Sequence, residues 1–217
     1  TLKKSFSENA SILFGAEETF NRFNQDYTET ATTFSNNSNF DDFNSAMYAE
    51  GDYRPIAKLA LRAGARGEYS SLLNKSNVGA RLSAAVKITN SSQISLAYGN
   101  FYQTPEEDLL RFTHNLNFEK ADHYIANYQW EKSNRIFRIE AYRKNYKDLV
   151  TYNPNEYWNG DFYKNSGGGH SQGIDVFYRD RMTFRTLEFW ISYSYVDSKR
   201  KYRYYPEMVT PSFAPTH

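Results

Sequence analysis

The chain has 217 residues, and its 26 Lys and Arg against 25 Asp and Glu leave a formal net charge of +1. The cations are scattered among the acids, so there is no electrostatic footprint for nucleic acid. The absence of cysteine excludes a disulfide, a thiolate metal centre and a cysteine nucleophile.

No charged-then-apolar leader opens the sequence, and no apolar run approaches the roughly 20 residues of a spanning helix. Any membrane contact is therefore expected through strands. Tyr (19) and Phe (16) are abundant although the chain as a whole is polar. A soluble domain this hydrophilic should be poor in aromatic residues, whereas a membrane barrel combines a polar lumen and polar loops with aromatic rings at both interfaces.

In chain order, Ser11 to Phe20 sets Ile12, Phe14 and Ala16 against Leu13, Gly15 and Glu17, a strand pattern of period two. Asn21 to Asp42, rich in Asn, Thr, Ser and Phe, has the chemistry of a long loop. Ser45 to Arg54 alternates again until Pro55 forces a turn. Leu59 to Tyr69 places Leu61, Ala63 and Ala65 opposite Arg62, Gly64 and Arg66, and a moderate loop, Ser70 to Asn77, follows. Gly79 to Lys87 and Ile94 to Gly99 read as two strands about the short turn Thr89 to Ser92.

Gln103 to Phe118 is a long connection with Pro105 and the acidic run Glu106, Glu107 and Asp108. Tyr124, Ala126, Tyr128 and Trp130 then alternate with His123, Asn127, Gln129 and Glu131. Ser133 and Asn134 turn the chain into a strand that alternates Phe137, Ile139 and Ala141 with Arg138, Glu140 and Tyr142, up to about Tyr152. Asn153 to His170 reads as a long loop crowded with rings and closed by Gly167 to Gly169. The last hairpin, Ser171 to Asp197, is the clearest: Leu187, Phe189, Ile191, Tyr193 and Tyr195 form one file and Glu188, Ser192 and Ser194 the other, with Trp190 the exception. A short turn, Asp180 to Phe184, joins its arms, and a basic, aromatic tail runs from Ser198 to His217.

Long and short connections alternate along the chain, the asymmetry of outer-membrane barrels, whose turns are short on the periplasmic side and longer outside. A soluble sandwich or lipocalin-like barrel has no physical reason to keep every second connection short. The arms number about nine, whereas single-chain bacterial barrels have even strand numbers and no open edge in lipid. The expected fold is all-β, an antiparallel transmembrane β-barrel segment within a larger barrel.

Several stretches carry a resemblance: YGNFYQTP (Tyr98 to Pro105), FEKADHYIANYQW (Phe118 to Trp130), EAYRKNYKDLVTY (Glu140 to Tyr152), NSGGGHSQGIDVFYRD (Asn165 to Asp180) and the run from Trp190 to His217. Together they resemble the β-barrel of TonB-dependent outer-membrane receptors, over roughly Met47 to the C-terminus. The resemblance implies that residues 1–217 are part of a receptor barrel of roughly 22 strands, with the plug and terminal strands not present. It implies a bacterial outer-membrane location and TonB-coupled uptake of a bulky, scarce ligand: an iron chelate, a vitamin, an oligosaccharide or a peptide. It implies contact with membrane lipid, coupling through the plug, and room for a surface lipoprotein partner, with no enzymatic activity and no cofactor.

On that reading Tyr157, Trp158, Asn159, Asp161 and Tyr163, with Asn155, are the expected ligand-binding residues, in an outer loop running from Tyr152 to Tyr163. The same rings also fit an interfacial girdle. Arg62, Arg66, Arg81, Arg138 and Arg179, with Glu68, Glu140 and Asp175, are expected to face the lumen, either guiding ligand and gripping a plug or pairing across strands. Glu106, Glu107 and Asp108 lack calcium-loop spacing. His114, His123, His170 and His217 are too dispersed for a predicted metal site. Gly167 to Gly169, lacking the Lys and Ser or Thr of a phosphate loop, reads as a flexible loop end. A passive pore or adhesin barrel, an outer-membrane hydrolase and a soluble sugar-binding β domain are the competing readings. The last predicts that the alternating apolar faces bury one another.

Overall fold

The computed structural model describes residues 1–30, 34–184, 186–212 and 214. Ten antiparallel strands form one sheet in strict sequence order: β1 (Leu2–Ser7), β2 (Ala10–Glu29), β3 (Phe34–Ile56), β4 (Leu59–Ser70), β5 (Lys75–Thr89), β6 (Ser92–Gln103), β7 (Glu119–Lys132), β8 (Arg135–Thr151), β9 (Lys164–Asp180) and β10 (Phe189–Lys201). A one-turn helix, α1 (Glu107–Leu110), sits in the connection between β6 and β7. β1 is the strand by which the observed ten exceed the expected nine. Among the described residues the sheet stays open, with β1 and β10 as its two edges.

Register carries the predicted alternation across the sheet. Leu61 lies opposite Tyr53 and Ala84, Leu96 opposite Ala84 and Ala126, and Ala141 opposite Ala126 and Ile174, which in turn faces Tyr195. These residues form an apolar file on one face. It is open rather than packed: Leu96 is 57% exposed and Tyr193 57%. A soluble domain would bury such a file against a second layer, and no second sheet is present among the described residues. The fold is therefore the wall of a membrane barrel, with its apolar file as the lipid face. Gly51, Ala63, Ala84, Ala126 and Ala141 leave an apolar hollow of about 1040 Å³ on this file, beside Leu82, Leu96 and Tyr124.

At one end of the sheet four connections are pairs of residues, Glu8–Asn9, Ala57–Lys58, Asn90–Ser91 and Ser133–Asn134, and the connection from β9 to β10 is longer; at the other end lie the long connections Thr104 to Phe118 and Tyr152 to Tyr163. Four expectations change. Asn21 to Asp42 is mostly strand, a hairpin in which Phe20 pairs with Phe43 and Glu29 with Phe34. Its Asn and Ser side chains resemble those of a loop, but the facing backbone edges of its two arms pair with each other. The second arm of the last hairpin, expected directly after a turn ending at Phe184, begins at Phe189, so Leu187 precedes it and the connection runs over residues 181–188, of which Arg185 lies outside the described residues. That arm also continues past Asp197 to Lys201.

Gly167 to Gly169 is not a loop end. All three lie inside β9, where a Cβ on Gly167 would stand 2.3 Å from the Lys201 carbonyl oxygen and one on Gly169 2.3 Å from that of Lys199. The glycines admit β10 at close range. Just before this point β8 slips register at Asp148, whose φ of 58° marks a bulge.

Candidate functional site

The long connections fold onto the charged face and pack there. Leu109 and Leu110 of α1, with Leu116 and Phe118 beyond it, meet Phe40 from β3, Leu73 from the turn after β4, and Val150 and Tyr163. In a chain whose other apolar face is open, this is its buried core. Asp42, itself buried, anchors the turn after β4 by accepting hydrogen bonds from Ser70 Oγ (3.0 Å) and Leu72 N (3.1 Å). Arg111 fastens the α1 loop to the β2–β3 hairpin. Its guanidinium donates to Gln25 Oε1 at 2.7 Å and lies 4.6 Å from the Phe112 ring centre, while its carbonyl accepts from Ser38 Oγ.

The tail closes the other side. Arg203 pairs with Glu106, its amide donates to the Val150 carbonyl (2.6 Å), and its carbonyl accepts from Tyr152 N (2.9 Å). Under this clasp lies a cavity of about 600 Å³ lined by His123, Lys144, Tyr146 and Arg200 from the charged face and by Glu106 and Glu119. The Arg200 guanidinium lies 3.9 Å from the Tyr146 ring centre, and His123 packs 4.5 Å from Phe101. The cavity combines cations, a neutral donor or acceptor and rings at a mouth walled by loops. The larger hollow on the lipid face is bordered by Arg62 and Arg143 but is otherwise mostly apolar, and strand residues alone line it, with no loop over it.

The structure divides the predicted loop residues. Tyr163 is buried, stacked 4.9 Å from Tyr152 and 5.7 Å from Phe112, and its hydroxyl donates to the Tyr157 carbonyl at 2.6 Å. It holds the loop in shape. Asn159 Oδ1 accepts from Asp161 N (3.0 Å), just as Asn153 Oδ1 accepts from Asn155 N (3.1 Å), capping two single helical turns. Tyr157 joins the β2–β3 hairpin through Glu29 (3.5 Å). Trp158, edge-on to Tyr157 at 5.2 Å, is 51% exposed, and Asp161 is exposed beside it.

The predicted lumen charges all share the face onto which the loops fold. Arg62 pairs with Asp52 (2.7 Å) and Glu50 (3.3 Å), and Arg66 with Glu68 (2.6 Å) and Glu17 (2.8 Å). Arg81 lies 5.0 Å from the Phe101 ring centre, and Glu140 accepts from Asn127 (3.3 Å). Arg138 sits across from Gln129 and Phe177; Arg179 sits across from Ile136 and Trp190, with its Nε buried and unpartnered among the described residues. Glu107 and Asp108 occupy the first turn of α1, His114 packs edge-on to Phe40, and His170 stands 3.6 Å from Asp197. His217 lies outside the described residues. Among the described residues no group of three His, Asp or Glu converges as a metal site. Asp42, Arg111, Arg203 and the cavity side chains Lys144 and Arg200 were not legible as a site. They come from four separate segments, and only the weak hint of a basic tail pointed to any of them.

Burial holds the Tyr163 phenol above its ordinary range. The unfolded loop's tyrosine loses its proton first as pH rises through about 10, so the folded loop keeps its full stability below that pH and loses it progressively above. Truncation should act at neutral pH. Tyr163→Ala is expected to destabilise the loop cluster by about 3–5 kcal/mol, and Tyr163→Phe, which loses only the hydrogen bond to Tyr157, by about 1 kcal/mol. Rates of limited proteolysis between Tyr152 and Lys164 measure the difference.

The TonB dependent receptor-like β-barrel family matches residues 2–214. No protein of curated function matches the chain. Among solved structures it is similar to the outer membrane transporter YddB from Escherichia coli (TM-score 0.67, 17% identity, 92% of this chain and 32% of that one). It is also similar to the FrpB iron transporter from Neisseria meningitidis (TM-score 0.75, 12% identity, 96% and 36%) and to the siderophore receptor PirA from Pseudomonas aeruginosa (TM-score 0.70, 14% identity, 90% and 39%). The chain thus spans about a third of the length of the structures it matches. An open apolar face, a charged face closed over by loops at one end, and a profile match across nearly every residue lead to one placement: the chain belongs to the TonB-dependent receptor β-barrel family of the bacterial outer membrane.

Proposed function

We propose that this chain is the wall and outer mouth of a receptor that takes up a bulky, scarce ligand by TonB-coupled transport. The observation that carries this reading is the cavity of about 600 Å³ held beneath interlocked loops on the charged face. A passive pore gains nothing from loops pinned over its mouth by Arg111 and Arg203, whereas a receptor needs a preformed, gated recess. The similarity to the FrpB iron transporter and to the siderophore receptor PirA supports an iron chelate as the first ligand class to test. Trp158 and Asp161 make first contact from outside, His123, Lys144 and Arg200 line the recess, and the charges from Arg62 to Arg179 line the path below. A surface lipoprotein fits this scheme as a cover over the exposed face of Trp158.

Uptake of radiolabelled ferric chelates by cells carrying the full-length protein tests the proposal, with and without a functional coupling complex. Uptake should require the complex, and Trp158→Ala should weaken binding of the transported chelate on the order of 3- to 10-fold, the worth of one aromatic contact. Entry of small solutes that is indifferent to the coupling complex would sink the proposal and leave a pore or adhesin.

A further inference from the structure

The apolar file changes character before its strands end. On β7 it runs from Trp130 through Ala126 to Tyr124, and its next two members toward the loops are Asp122 and Lys120. On β8 Phe137, Ile139 and Ala141 are followed by Arg143, Asn145 and Lys147, and on β10 Tyr195 is followed by Asp197, Lys199 and Lys201. Register brings these positions together: Asp122 lies opposite Asn145, Lys120 opposite Lys147, and Gly168 stands between Lys147 and Lys201. A cationic band therefore continues the lipid face directly, within one or two file positions of Tyr124, about 7 Å apiece along the strand.

The band is built around a buried acid. The Asp122 side chain is 7% exposed and accepts from Lys147 Nζ at 3.0 Å, with Lys120 Nζ at 3.4 Å and an Asn100 amide on its other oxygen. Each ammonium has three donors and uses one here, so the carboxylate fixes two lysines side by side while their other protons stay available. The Lys147 side chain is 58% exposed. Arg143 is held outward by Asn145 Oδ1 (3.0 Å) and Gln172 Oε1 (3.1 Å). Lys199 and Lys201 are exposed and form no ion pair among the described residues.

We infer that this band binds the phosphate-bearing head groups of an outer-leaflet glycolipid. Its five cations, Lys120, Arg143, Lys147, Lys199 and Lys201, outnumber the carboxylates of Asp122 and Asp197. They sit on the face that lipid covers, so the occupant's anion must be attached to what lies against Tyr124 and Tyr195. A free anion or a soluble protein would have no reason to meet the band at the edge of an apolar belt. The inference rests on the outer-membrane placement of the barrel and not on uptake, so failure of the transport proposal leaves it standing.

The test titrates full-length protein in detergent micelles with diphosphoryl lipid A, with the same lipid stripped of phosphate, and with inorganic phosphate, read by native mass spectrometry. Diphosphoryl lipid A should bind, and the other two should bind far more weakly. K120Q/K147Q should weaken binding roughly 30-fold, about fivefold for each lysine at an anionic lipid surface. Because that change leaves Asp122 buried without its lysines, K199Q/K201Q, which touches no buried acid, supplies an independent loss of similar size. K132Q, at the opposite end of β7, should change nothing. Equal binding of the phosphate-free lipid, inorganic phosphate bound as tightly as the lipid, or both double variants binding like wild type would overturn the inference.

Discussion

Replacing Ala126 with arginine is expected to destabilise the barrel by about 2–4 kcal/mol, the depth-dependent cost of a cation on a lipid face near the bilayer midplane. The site isolates that effect. Ala126 lies midway along the apolar file of β7, between Tyr124 and Tyr128, with Leu96 and Ala141 as its cross-strand neighbours. It borders the hollow left by small residues, so a longer side chain meets no steric obstacle and the penalty is one of desolvation. Asn127 is the matched control, pointing to the opposite face with Glu140 at 3.3 Å as a ready partner. Asn127→Arg is expected to cost no more than about 0.5 kcal/mol, as surface substitutions do. Denaturant unfolding of the full-length protein in phospholipid bilayers compares the two. Equal costs would mean that the apolar file does not face lipid.

Gly173→Val is expected to abolish assembly of the folded barrel or to cost at least about 3 kcal/mol, the upper range for overpacking. A Cβ at Gly173 would stand 2.4 Å from the Tyr195 carbonyl oxygen on β10 and 2.5 Å from the Tyr142 hydroxyl on β8. The main-chain atom cannot give way without opening a ladder that runs unbroken from Phe189 to Lys201. Tyr142 lies across its cross-strand glycine as Tyr48 lies across Gly15, so the ring covers backbone that would otherwise be bare. Gly51→Ala should be tolerated, since its Cβ would meet only the Ala63 carbonyl oxygen at 3.8 Å. The fraction of each variant that stays folded, and so runs compactly, in unheated gel electrophoresis reads out both. A folded Gly173→Val barrel would show that β9 can shift away from its neighbours.

The wall was legible because its signal is local. Alternation in Leu187 to Tyr195, or in Phe137 to Ala141, needs only a period of two, and register then extended one phase over ten strands. The Asn21 to Asp42 hairpin escaped because its side chains are as polar as a loop's. Its strand character comes from pairing with itself, as in Arg22 with Asp41. The glycine run escaped for the opposite reason: glycine tolerates any backbone, and only the approach of Lys199 and Lys201 shows why nothing larger fits. In the aromatic loop the rings could be counted but not assigned. Tyr163 and Trp158 are five residues apart, yet one is buried between rings and the other faces solvent.

Sequence alone determined that this chain is an antiparallel sheet with one apolar and one charged face, short turns at one end and long connections at the other, because each property is written within a few residues. Tertiary structure decided that the long connections close over the charged face, that Arg111 and Arg203 are their fastenings, and that Asp122 gathers lysines at the upper border of the lipid face. Those contacts join residues tens of positions apart, as Glu106 joins Arg203. They arise only when β-pairing has fixed which side chains share a face and how far along the strands each one stands.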